Sequence, residues 1–257
     1  MGRERAPLPT RIPDTPELPI AFIGALDAGL AALHLELDSR ARAVIDGHVR
    51  LLSAWTSSIN LTAIREPAAM ARQHVIDSLT ALPVVGQQPV RRLVDLGSGG
   101  GFPGLPLAAA RPDIEVTLLE PVAKKARFLA TAAEAAGIAD RVSVQVLRAE
   151  TVAADPARRR TWDVVTARAV GPLAELVELA FPLLVPGGRL IAWKRGDLDE
   201  ELLAAERAIR ALGGGDLRVE DVAVPDLAGH RLVVATSRSR VAEHYPRDPS
   251  ARRRRPW

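Results

Sequence analysis

One short run, Val94-Asp95-Leu96-Gly97-Ser98-Gly99-Gly100-Gly101-Phe102-Pro103-Gly104, constrains the fold of this chain more than any other. The apolar stretch Arg92-Leu93-Val94 ends in an acid, a glycine-rich turn follows, and Leu105 to Ala110 are apolar again. That is the strand, loop and helix start from which a doubly wound α/β domain builds a nucleotide-type site. Gly97, Gly99 and Gly101 have no Cβ, so the backbone can turn sharply and a ligand can lie against it. Ile114 to Leu119 read as the next strand. Glu120 stands at its end, placed to accept hydrogen bonds from both hydroxyls of a ribose.

The spacing Asp-x-Gly-x-Gly-x-Gly differs from the dinucleotide pattern Gly-x-Gly-x-x-Gly. Phe102-Pro103 fill the place where a pyrophosphate needs free amides, which suits a ligand without phosphates. S-adenosylmethionine is such a ligand. At 257 residues and 47% apolar composition the chain can bury a large core. It has no cysteine, hence no disulfide or thiolate zinc site, and His34, His48, His74, His230 and His244 lack metal-ligand spacing. No apolar run approaches the roughly 18–20 residues of a membrane span. The proline-rich start has no signal-like apolar core. A cytoplasmic protein without metal or membrane contact is expected. The net charge is only +3, with arginines clustered at Arg158–Arg160 and Arg252–Arg255. Those clusters read as solvated surface or as attractors of phosphate.

Residues 1–19 carry too many prolines for regular structure and are expected to be a disordered lead-in. Helical apolar spacing from Ala21 to about Ser58 predicts two helices, split near Asp38-Ser39 with Ser39 as a cap. A further helix is expected from Glu66 or Pro67 to about Leu82. Strands are expected at Arg92–Leu96, Glu115–Leu119, Val142–Leu147, Asp163–Ala167, Arg189–Trp193, Leu217–Val224 and His230–Ser237. Helices alternate with them at Phe102–Ala110, Val122–Ala136, Pro172–Leu184 and Leu198–Leu212. The expected organisation is a helical extension over 20–89, a catalytic domain over 90–240 and a basic flexible tail over 241–257. The fold class is α/β, a Rossmann-like doubly wound sheet of the class I methyltransferase layout, mostly parallel with an antiparallel C-terminal hairpin strand.

Ligands of such sheets sit at the C-terminal strand ends. Asp95 and the glycines follow the first strand, Glu120 the second, Ala149-Glu150 the third, Arg168 the fourth and Lys194 the fifth. A backbone amide at Ala149 and the Glu150 carboxylate are placed to bracket an adenine. No nucleophile–base pair stands out. Methyl transfer to a ring nitrogen needs none, because such an acceptor has no proton to lose and requires only alignment and charge stabilisation. His74, Asp77 and Ser78 share one helix face. On spacing alone they read as a polar network that caps the helical extension against the sheet.

Asn60-Leu61-Thr62, His74-x-x-Asp77-Ser78, Asp95-Leu96-Gly97-Ser98-Gly99-x-Gly101-x-Pro103-Gly104 and Ala167-Arg168-Ala169 occur in that order. Together they resemble the bacterial glucose-inhibited division protein B family, guanine-N7 methyltransferases of small-subunit ribosomal RNA. The resemblance runs from about Ala21 to Ser237. It implies S-adenosylmethionine as donor and N7 of a guanine in the decoding-region loop of 16S ribosomal RNA as acceptor. It also implies cofactor contacts from Gly97, Phe102, Ala149, Glu150 and Arg168, to which the fold logic adds Asp95, Gly99, Gly101 and Glu120. Asn60, His74, Asp77, Ser78, Arg168 and Lys194 then belong on the substrate face. Two departures stand out: Lys194-Arg195-Gly196 replaces the family's Lys-Gly, and the residues after Tyr245-Pro246-Arg247 diverge. The expected partner is naked 16S ribosomal RNA or a small ribosomal subunit, and the expected state a monomer. A small-molecule methyltransferase, a binding module of the same fold and an NAD-dependent oxidoreductase are the alternatives. The crowding at Phe102-Pro103 disfavours the last, and the intact glycine loop with Glu120 disfavours the binding module.

Overall fold

A computed structural model describes residues 7–257. Strands β1 (Arg92–Leu96), β2 (Glu115–Leu119), β3 (Val142–Gln145), β4 (Trp162–Arg168), β5 (Leu184–Arg195), β6 (Leu217–Asp221) and β7 (His230–Thr236) form one sheet in the order β3-β2-β1-β4-β5-β7-β6. The pairs from β3 through β5 are parallel, whereas β7 runs antiparallel to both β5 and β6. The chain therefore has the Rossmann-like sheet expected of it, with the reversed strand in the last-but-one position. The order changes direction between β1 and β4, so the crevice for a ligand opens at the ends of those strands.

Alternation along the strands divides the core. Leu93, Val116, Leu118, Val164 and Ile191 face one layer, while Val94, Leu96, Leu119, Val165 and Leu190 face the other. Neighbouring side chains on a strand point to opposite faces, so a sheet buried on both sides must be apolar throughout. The first layer holds α6 (Gly104–Ala110) and α7 (Ala123–Ala135), and also the N-terminal helices α1 (Ile20–Ala32) and α2 (Ser39–Ile59). Trp55 of α2 meets Phe128 of α7 with ring centroids 5.6 Å apart. The helical extension thus shares one core with a face of the sheet. The second layer holds α8 (Ala149–Ala154), α9 (Leu173–Ala180) and α10 (Asp199–Ala211).

Several local expectations need correction. Asp38, not Ser39, caps α2, its carboxylate accepting from the Ala41 amide at 2.7 Å. The single helix expected to reach Leu82 is instead built from α3 (Pro67–Met70), a wider π-helical turn over Ala71–Ile76, α4 (Asp77–Leu79) and, after a break, α5 (Leu82–Val85). The strand expected to begin at Arg189 begins at Leu184 instead, so that Pro186-Gly187-Gly188 lie inside a long β5 beside a register shift between Trp162 and Val164.

Both chain ends also depart from expectation, as far as they are described. Residues 1–6 of the expected lead-in lie outside the described residues. From residue 7 onward the lead-in packs on α2: Trp55 Nε1 donates to the Pro9 carbonyl at 2.7 Å and Arg50 Nη2 to the Thr15 carbonyl at 2.6 Å. At the other end, the expected flexible tail folds into α11 (Pro249–Arg254), which is capped by Asp248 and docked on the sheet's second layer. The buried Glu178 and the half-buried Glu150 and Glu175 explain the docking, since they take up arginines that composition alone assigns to solvent.

Candidate active site

The glycine loop after β1 is built from both backbone and carboxylates. Gly97, Gly99 and Gly101 have φ of 66°, 54° and 92°, the left-handed region that glycine enters without strain. At Gly101 a Cβ would lie 2.7 Å from Leu105 Cδ1 and 2.8 Å from His48 Nε2, so no side chain fits there. The buried Glu120 accepts from the Gly99 amide at 2.9 Å and the Val122 amide at 2.8 Å. A carboxylate has about four acceptor positions, so both oxygens keep capacity for ribose hydroxyls.

Asp95 lies at the base of the loop and is wholly buried. Its Oδ1 accepts from Thr166 Oγ1 at 2.8 Å, while Oδ2 has no hydrogen-bond partner among the described residues. Burial pushes this carboxyl up to about 6, against the pull of the Thr166 hydroxyl. A buried acceptor without a donor is costly, and a ligand carrying an ammonium or hydroxyl group would satisfy it. Asp95, the three left-handed glycines and Glu120 therefore fit an amino-acid-bearing nucleoside such as S-adenosylmethionine.

Helix α2 braces this loop through a residue that the spacing argument passes over. His48 Nε2 donates to the Gly100 carbonyl at 2.7 Å, and burial holds the ring down at about 4, hence neutral near pH 7. Phe102 stands between two imidazoles, tilted against His48 and stacked at 15° on His74, each with centroids 4.6 Å apart.

Beside the loop, a cleft of about 400 Å³ is lined by His74, Asp77, Arg168, Trp193, Lys194 and His230, among others. Its centre is Arg168 at the end of β4. Nη1 donates to Asp77 Oδ2 at 2.9 Å and to the Gln73 carbonyl at 3.1 Å, and the guanidinium lies 5.4 Å from the Phe102 ring centroid. The π-helical turn supplies that carbonyl, because its wider winding displaces acceptors from the normal ladder. Asp77 Oδ1 faces His230 Nδ1 at 2.7 Å, and Trp193 Nε1 donates to the Asp77 carbonyl at 2.7 Å. Asp77 is thus the hub of a buried network spanning the helical extension, β4, β5 and β7. Ala169, next to Arg168, has a φ of 57°, a strained conformation for alanine that aims the strand end into the cleft.

His74 pairs with Thr62 Oγ1 at 2.6 Å. Burial, reinforced by Arg168 and His48, pulls its ring down to about 3. His74 is therefore a neutral platform at physiological pH and not a proton carrier. Lys194 Nζ donates to Glu201 Oε1 at 2.6 Å and to the Gly171 carbonyl at 2.8 Å, tying β5 to the loop before α9. Asn60 is exposed and ends α2 with a φ of 49°. Its side chain makes no hydrogen bond among the described residues, whereas His74, Asp77, Arg168 and Lys194 line one cleft.

The family profile described as rRNA small subunit methyltransferase G matches residues 42–228. A ribosomal RNA small subunit methyltransferase G from Symbiobacterium thermophilum is 39% identical over 232 residues, covering 88% of this chain and 94% of the relative. The namesake from a Roseiflexus species is 41% identical over 222 residues, 86% of this chain and 94% of its own length. The chain belongs to this family. Among solved structures, a predicted O-methyltransferase from Agrobacterium tumefaciens superposes with a TM-score of 0.50 at 26% identity, covering 65% of this chain and 83% of that one.

As a small-subunit ribosomal RNA methyltransferase, the chain has a contact at Glu150 that the matched residues 42–228 do not include. Glu150, in the first turn of α8, is held at Oε1 by Arg252 Nη2 of α11, at 2.5 Å. Sequence reasoning also misses His48, Trp193 and His230 as parts of the site. Nothing near His230 marks it, because its partner Asp77 stands 153 positions away in the chain.

Proposed function

We propose that the protein transfers a methyl group from S-adenosylmethionine to N7 of one guanine in 16S ribosomal RNA, working in the cytoplasm as a monomer. The observation that carries this reading is the cleft at Arg168, directly beside the glycine loop and large enough for one base. When bound, the cofactor supplies an activated methyl group on a sulfonium. The chain's own residues bind and align. Glu120 takes the ribose hydroxyls, Asp95 Oδ2 accepts from the cationic amino acid end, and the Ala149 amide with Glu150 brackets the adenine.

On the acceptor side, the neutral His74, backed by Phe102, offers a flat wall for a base. Arg168, held by Asp77, keeps free N–H groups that can donate to the guanine O6 next to N7. No proton has to be removed, since N7 attacks with its own lone pair. The positive charge lost by sulfur appears on the purine ring. Alignment of that lone pair with the methyl group therefore matters more here than any base. Arg195, exposed at the cleft mouth, would meet flanking phosphates. A single accessible base, splayed from a loop, suits this pocket better than a base within a helix.

The test is methyl transfer from labelled S-adenosylmethionine to small ribosomal subunits from cells lacking the protein, with the modified nucleotide mapped. Label at N7 of one guanine supports the reading. Label elsewhere, or none while the cofactor binds, overturns it.

A further inference from the structure

The C-terminal segment lies beyond the residues that match the family profile, yet it is fastened to the body at several points. Arg159 donates to the carbonyls of Val241, Ala242 and Tyr245 at 3.0, 3.2 and 2.7 Å. Glu178, with no solvent exposure, accepts from Arg247 Nη2 at 2.7 Å and from Trp257 Nε1 at 2.7 Å. Arg247 also lies 4.4 Å from the Trp257 ring centroid. Arg252 of α11 reaches Glu150 and Glu175, which places α11 over the first turns of α8 and α9. Those helices follow β3 and β4, so α11 stands at the ligand-bearing edge of the sheet.

The decisive contact is made by Arg252. Its side chain is 5% exposed and forks between Glu150 Oε1 and Glu175 Oε1, the latter at 3.2 Å. A guanidinium so buried is there to hold carboxylates, because its desolvation requires charged partners. We propose that Arg252 is a positioning residue for the cofactor: it fixes the Glu150 carboxylate in the orientation that receives the adenine, so the tail is a working wall of the donor site. This rests on Glu150 contacting S-adenosylmethionine, as in the function proposed above. With Oε1 engaged by Arg252, Oε2 remains free to accept from an exocyclic amine. A planar fork is required to reach both glutamates, which lysine cannot provide.

The experiment measures S-adenosylmethionine affinity by titration calorimetry on the full chain, for wild type, R252A, R252K, E150Q, E175Q and the double variant E150Q/R252A, with thermal midpoints recorded alongside. The account expects R252A to weaken binding about tenfold, R252K to recover only part of the loss, and R252A to add nothing once Glu150 is already glutamine. E175Q, which frees one arm of Arg252 but leaves Glu150 held, stays within about threefold of wild type while its midpoint falls. Wild-type affinity in R252A overturns the proposal. So does a loss that persists undiminished in the E150Q background, which would make Arg252 a fastener of the fold alone. Wild-type protein that does not bind S-adenosylmethionine at all would instead overturn the proposed function.

Discussion

The donor and acceptor halves of the site are built in opposite ways. The donor half is largely local: Asp95, Gly97, Gly99 and Gly101 lie on one strand end and the loop after it, while Glu120 and the pair Ala149-Glu150 come from the next two strand ends. It leaves a buried acceptor, Asp95 Oδ2, without a partner among the described residues. The acceptor half is assembled: His74, Asp77, Arg168, Trp193 and His230 come from distant segments and satisfy one another. The first half keeps bonding capacity for a ligand. The second uses its capacity to hold one arginine in place.

That contrast predicts unequal responses to mutation. The largest effect is expected at the hub. Asp77→Ala leaves Arg168 buried without its counter-charge, at a cost of about 3–5 kcal/mol of stability. A denaturant midpoint close to wild type would show that the acceptor half does not depend on this pair. Methyl transfer should fall with it, whereas Arg168→Lys should retain the fold and lose mainly turnover.

Next come the loop glycines, which separate conformation from space. Gly101→Ala collides with Leu105 and His48 and should weaken cofactor binding about a hundredfold. Gly99 is different, since the nearest atom to an added Cβ is the Gly97 carbonyl oxygen at 3.8 Å. Gly99→Ala therefore has room but keeps a φ of 54°, so it should lose about 1–2 kcal/mol of stability to backbone strain, and Gly99→Asp should abolish binding by placing charge and bulk where the ligand lies. Cofactor affinity within about threefold of wild type for Gly99→Asp would remove the loop from the site.

Titration offers a finer distinction. Asp95 has its pKa raised in the folded state, to about 6, so its contribution to stability is complete below its unfolded value near 3.8 and is lost as pH rises through about 6. A cationic ligand favours the ionised form, so cofactor affinity should fall as pH drops below about 6. Asp95→Asn should flatten both trends, seen by melting and by titration across pH 5–8. His48 behaves in the opposite sense. Its folded pKa is depressed to about 4, so the stability it confers is present above about 6.5 and is lost as pH falls through about 4. His48→Phe, the smallest effect, should reduce the acid sensitivity while modestly loosening the loop. An unchanged acid limb would mean that another group, such as His74, dominates it.

The same contrast explains what can be read from the chain alone. Alternating apolar strands, glycines at left-handed positions and a strand-ending acid are short-range signals, so the sheet, its reversed strand and the donor loop are legible. His230 and Trp193 are not, because their partner Asp77 is brought to them only where β5 and β7 meet the helical extension. Asn60 ends α2 in a left-handed conformation, a local role that its place in a recognisable run does not announce. The arginine-rich tail misleads because Glu175 and Glu178 look like ordinary helix-surface acids until α11 is seen to cover them. The π-helical turn at Ala71–Ile76 has no composition of its own, and an amphipathic helix is the natural expectation there.

The most direct test is a crystal structure of the protein with S-adenosylhomocysteine and 7-methylguanosine monophosphate. The account predicts the amino end of the nucleoside at Asp95 Oδ2, its ribose on Glu120, and its sulfur facing a purine that lies in the cleft against His74 and Arg168. A purine bound outside that cleft, or a sulfur turned away from Arg168, would contradict it.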